Sequence, residues 1–143
     1  MWISAVDPRE QAKGQLASTL IEGLIAADLA AMTPQIAAEF FNVATRPRKG
    51  LTPIFTRAAA ASRVTTLLRA CICLDMSAAT AAEAVRGAVE FQMHIYDAQI
   101  WAVARLSGVR TILTEDMQSQ DAIEGVRYVD PFAANFKLAQ IGL

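Results

Sequence analysis

Apolar and polar positions along this chain follow two periods, and each change of period marks an element. Asp7-Pro8-Arg9-Glu10 has the form of a helix start: an acid at the cap, proline at the first helical position and glutamate three residues after the cap. The apolar pattern carries that helix to about residue 25. Residues 29–33 are short and apolar enough for a strand, although alanine weakens the β preference there. Thr33-Pro34 then predicts a second helix ending near Arg46-Pro47, and Thr52-Pro53 a third reaching about Arg69. Further on, the pattern predicts a strand over 71–74, a helix over 78–92 and a helix over 96–107 closed by Gly108. Residues 109–114 and 126–129 are rich in β-formers and complete the set of strands. Helices alternating with short strands are the signature of a parallel α/β sheet covered on both faces.

No repeat, low-complexity tract or linker divides the 143 residues, so a single domain with a real core is expected. A hydrophobic fraction of 54% against 19% charged residues excludes a disordered chain. No apolar run approaches the ~18–20 residues of a membrane span, and the opening MWISAVDPRE lacks the basic flank of a signal peptide. Cys71 and Cys73 fall on one face of the short strand over 71–74 and read as buried free thiols. With one histidine and no further cysteine, zinc would be short of ligands. A reducing cytoplasm is the expected location.

The net charge of -1 gives no global attraction to nucleic acid, yet the charge is unevenly spread. Between Phe40 and Leu74 stand Arg46, Arg48, Lys49, Arg57, Arg63 and Arg69 without a single acid, and from Asp75 onward acids outnumber bases. That asymmetry allows one positive face toward a polyanion or an ordinary solvated surface. Residues 57, 63 and 69 step by about 240° on a helix and so do not form one stripe.

The stretch HIYDAQIWAVARLSGVRTILTEDM holds Asp97 and Asp116 at opposite ends of an apolar run. The helix over 96–107 is ~18 Å long, and the strand over 109–114 returns ~20 Å. Asp116 therefore comes back to the level of Asp97, at the carboxyl edge of the strands, where open α/β sheets place their ligands. In the second helix Gln35, Glu39, Asn42 and Arg46 make a thin polar line among apolar neighbours, the pattern of a helix buried except along a cleft or of a narrow solvent face. Three carboxylates at one rim repel one another unless a cation joins them. Mg²⁺ suits a few carboxylates completed by water and phosphate oxygens, and such a site can activate water against a phosphodiester. Competing signals are weak: there is no G-x-G-x-x-G, P-loop, G-x-S-x-G or histidine pair, and His94 reads as a loop or helix-entry residue.

The segments TPQIAAEFFNVATR, IYDAQIWAVARLSGVRTILTEDMQ and IEGVRYVDPF resemble the PIN-domain ribonucleases, and most of all the VapC-like toxins of bacterial toxin–antitoxin pairs. The resemblance implies a three-layer α/β/α fold around a parallel sheet of about five strands. It also implies an endoribonuclease dependent on Mg²⁺ or Mn²⁺, with Glu39, Asp97 and Asp116 at metal-binding positions, Glu115 as an accessory, and Arg46 beside the cleft toward RNA phosphate. Homodimers and a small antitoxin protein are the partners it implies.

The family opens with a central strand bearing an Asp-Thr-Asn or Asp-Ser-Asn signature, whose aspartate is the first metal ligand. MWISAVDPREQAKG aligns with the family segment that comes after that strand, so the resemblance implies that this first strand is missing, which would leave two strand edges unpaired. Asp7, as a helix cap, is no substitute. Gln120 stands where close relatives carry glycine, and Asp130 replaces asparagine before Pro131. Two functions are therefore weighed: an active metal-dependent ribonuclease, and a non-catalytic PIN-like module kept for dimerisation or antitoxin binding. An unrelated α/β binding domain is a third.

Overall fold

In the computed structural model, residues 1–47, 51–116 and 121–143 are described; Arg48, Lys49 and Gln120 lie outside them. The backbone divides into two compact units, residues 1–73 with Leu143, and residues 74–142.

Unit 1 begins in turns and enters α1 (Gln11–Ala26) at Glu10, later than the sequence predicts. The reason is local. Asp7 does not cap the helix: its carboxylate takes the Arg9 backbone N–H at 3.1 Å and the Arg9 guanidinium at 2.6 and 2.5 Å. That fork holds both oxygens and keeps residues 7–9 in a turn. After β1 (Ala31–Met32), α2 (Pro34–Thr45) starts where the cap-plus-proline signal predicts, with Thr33 Oγ1 accepting from Ile36 N–H at 3.2 Å. The Thr52-Pro53 signal fails. Phe55 N–H bonds the Ala44 carbonyl at 3.0 Å and ties the loop to the end of α2, so the cap passes to Thr56 and α3 runs Arg57–Ala70. β2 (Ile72–Cys73) pairs in parallel with β1, Ala31 opposite Ile72 and Met32 opposite Cys73.

The core of unit 1 comes from Leu20, Ile21 and Leu24 of α1, Met32 of β1 and Phe40 of α2. Parallel strands are usually covered on both faces, but both residues of β2 are exposed and α3 buries only Ala60. The expectation of buried thiols is thereby overturned. Cys73 is exposed and Cys71 half-buried, because the apolar pattern of 71–74 belongs to a strand without a complete cover. Burial, then the neighbouring Cys73, pushes the Cys71 thiol up and keeps it protonated. Iodoacetamide at neutral pH should therefore modify Cys73 well before Cys71, as peptide mass mapping would show; equal rates would contradict this burial.

Unit 2 opens with α4 (Ala78–Glu90), held by a reciprocal Ser77–Thr80 capping box. It continues through α5 (Ile95–Leu106), β3 (Thr111–Leu113), β4 (Ala122–Ile123), β5 (Val126–Val129) and a 3-10 turn, Leu138–Ile141. His94 occupies the position before α5 and makes no side-chain cap. β3 runs parallel to β5, while β4 joins β5 antiparallel through Glu124-Gly125. Both turn residues have positive φ, 45° and 84°, as a two-residue hairpin with the strands' own twist requires.

Mixed helices and parallel pairings give the expected α/β class. Among the described residues the strands pair as β1-β2 and as β3-β5-β4, parallel except for the antiparallel edge strand β4. Among the described residues no helix is long and apolar enough to cross a membrane.

The centre of unit 2 is Trp101, fully buried among Ala84, Met93, Ala98, Ile123 and Val126. Its indole N–H donates to the Ile123 carbonyl at 3.2 Å, and Phe91 meets it edge-on at 5.6 Å. α4 admits the ring only at Gly87, where a Cβ would stand 2.5 Å from Cζ3. Above the ring, Arg86 and Arg105 lie with guanidinium carbons 5.4 and 5.8 Å from its centroid. Arg86 binds Glu83, Glu90 and Glu124, and Arg105 binds Glu83 and Glu124, all at 2.5–2.8 Å. Hydrogen bonding to Arg86 holds the Glu83 carboxyl below its ordinary value.

Candidate functional site

The acids of unit 2 separate into two sets. Glu83, Glu90 and Glu124 are neutralised by arginine over Trp101, so their roles are structural. Asp97 and Asp116 stand elsewhere in the same unit. Asp97 is half-buried in the first turn of α5, where the partial positive charge of a helix start favours a carboxylate. The chain leaves α5 at Ser107, turns at Gly108 (φ 73°) and bonds back through Val109 N–H to the Ala104 carbonyl at 2.8 Å. β3 then returns against α5.

The ladder with β5 extends one residue past β3, Thr114 N–H bonding the Val129 carbonyl at 3.0 Å. Beyond it Asp116 N–H donates to Thr114 Oγ1 at 3.1 Å, a local turn that leaves the Asp116 side chain exposed with Glu115 beside it. A helix and the strand that folds back along it place the start of one and the end of the other at the same end of the unit.

Glu39 and Arg46 belong to unit 1. Glu39 is exposed on α2 and accepts from the Gln35 amide at 2.8 Å. Arg46 is the exposed C-cap of α2. Of the polar line along α2, Glu39, Asn42 and Arg46 are exposed and Gln35 is half-buried, while Ala37, Phe40 and Ala44 are buried. Of the acid-free basic stretch, the described Arg46, Arg57, Arg63 and Arg69 are all exposed, and Arg57 lies 5.4 Å over the Phe41 ring.

The family model for the PIN domain matches residues 1–124. The chain belongs to the PIN domain family. PIN domains are typically nucleases and generally use divalent metal ions. Comparison with curated proteins and with solved structures returned no match.

Among the described residues of this PIN domain, no three histidine, cysteine, aspartate or glutamate side chains are grouped as a metal cluster. The fit to a hard cation therefore rests on donor chemistry. Carboxylate oxygens from one or two side chains, completed by water and phosphate, suit Mg²⁺ and similar ions. Asp97 and Asp116 carry carboxylates of that kind.

Sequence reasoning missed Tyr128. It is buried in β5 opposite Ile112, and its hydroxyl has no hydrogen-bond partner among the described residues. Burial, with a smaller contribution from the negative charge of Asp97, pushes its pKa up to about 12. Strand alternation explains an inward ring at 128 but carries no signal for the hydroxyl.

Proposed function

We propose that this PIN domain is a Mg²⁺- or Mn²⁺-dependent endoribonuclease and the toxin of a toxin–antitoxin pair, working as a homodimer that a small antitoxin protein blocks. The observation that carries the reading is the α5–Gly108–β3 reversal in unit 2, with Asp97 in the first turn of the helix and Asp116 just past the strand. In this proposal those two carboxylates hold the cation. When bound, a hard divalent ion supplies an activated water and neutralises charge on a phosphodiester under attack. Glu39 is proposed as a further catalytic acid from its match to the family pattern and its outward position on α2. Arg46 holds RNA phosphate as a charge-assisted donor. The acid-free basic stretch supports a polyanionic substrate, and the choice of RNA over DNA comes from the resemblance to the toxin branch.

Incubation with varied RNAs across a Mn²⁺ titration tests this directly. Internal cleavage that EDTA abolishes is expected. RNA left intact at every concentration would favour the second reading, a non-catalytic PIN module for dimerisation or antitoxin binding. That reading draws support from the lack of a three-ligand group among the described residues and from exposed apolar side chains such as Ile72, Val85 and Val89.

A further inference from the structure

Tyr128 has a hydroxyl whose position packing alone does not explain. Its residue is 6% exposed and sits in the apolar cluster with Ala98 and Ala102 of α5. Phenylalanine would fill that space equally well without burying an oxygen. Buried hydroxyls in folded proteins nearly always have a partner, and an exception points to a catalytic role, a water or an ion. The cluster joins β5 to the first turns of α5, and Ala98 on that face adjoins Asp97 in sequence. The negative charge of Asp97 acts on the phenol, in a smaller measure than its burial does.

We propose that Tyr128 is a positioning residue for Asp97, its hydroxyl donating through one bridging water to the Asp97 carboxylate and fixing the orientation in which that carboxylate binds a cation. This rests on the reading of Asp97 as a cation ligand. The chemistry is complementary: an ionised carboxylate only accepts, and a phenol that stays protonated at neutral pH donates. A water serves where two polar groups flank a gap too wide for a direct bond. Ligand carboxylates are commonly oriented in this way by an outer hydrogen bond, and losing one typically weakens metal binding ten- to a hundredfold.

The test is Mn²⁺ affinity, read from the electron paramagnetic resonance of free Mn²⁺, for the full chain and for Tyr128→Phe and Asp97→Asn, alongside metal-free thermal melting. Expected is Mn²⁺ binding weakened ten- to a hundredfold in Tyr128→Phe, with a metal-free melting temperature equal to or above that of the parent. A purely structural tyrosine would do the reverse, lowering the melting temperature and leaving affinity alone. Unchanged affinity in Tyr128→Phe, with binding lost in Asp97→Asn, would overturn the positioning role and spare the site. Unchanged affinity in Asp97→Asn would overturn the site itself, and the role of Tyr128 with it.

Discussion

Asp97→Asn is expected to lower Mn²⁺-dependent RNA cleavage at least a hundredfold while leaving the fold intact. The substitution keeps the shape of the side chain and removes its charge. A neutral amide offers one oxygen where the carboxylate offers two and does not offset a dication. Loss of an outer partner already costs about ten- to a hundredfold in metal affinity or activity, so loss of a ligand should cost more. Structurally the change is mild: Asp97 is half-buried in the first turn of α5, where its helix-dipole contribution is about 0.3–1 kcal/mol. Rate measurements at saturating RNA, with circular dichroism as the fold control, would check this. Activity within a few-fold of the parent would remove Asp97 from the chemistry. Asp116→Asn should behave alike, and the double variant should lose little beyond either single one, because groups acting as a unit are not additive.

Trp101→Ala should be the most damaging change to stability. The side chain is fully buried, donates to the Ile123 carbonyl and forms the floor on which Arg86 and Arg105 rest. Truncating a buried aromatic to alanine costs about 3–5 kcal/mol, a large share of the roughly 5–15 kcal/mol by which a domain is stable. A fall in melting temperature of ten degrees or more is the expected result. Arg105→Ala should fall far less, since its ion pairs are partly solvated and exposed pairs contribute little. A melting temperature in Trp101→Ala close to that of the parent would mean that Trp101 does not organise unit 2.

The extent to which the fold was legible depended on whether a local signal had a competitor. Thr33-Pro34 predicted the start of α2, and Thr33 Oγ1 accepts from Ile36 N–H as a cap should. The same signal at Thr52-Pro53 lost to the backbone bond from Phe55 to Ala44, and the Asp7 cap lost to Arg9. Neither competitor is visible in a cap pattern. β4 escaped prediction because two residues are too short for any period; only Glu124-Gly125, with its need for positive φ, marked the turn. The cysteines misled because an apolar strand normally has two covers, and β2 lacks them.

Near the candidate site, the chain reversal from α5 into β3 was readable from Gly108 and the β-formers that follow it. Glu39 and Arg46 were readable as an outward line on α2. The arginine lattice over Trp101 and the hydroxyl of Tyr128 were not, because each depends on tertiary neighbours that no spacing reveals.

One cation held in common by two aspartates of unit 2 is the centre of the proposed function. The most direct measurement is anomalous diffraction from a crystal grown with Mn²⁺. The predicted result is a peak bonded to carboxylate oxygens of both Asp97 and Asp116 at about 2.1 Å, as a hard divalent ion requires. A crystal with no peak at these residues, or with a peak on only one of them, would contradict it.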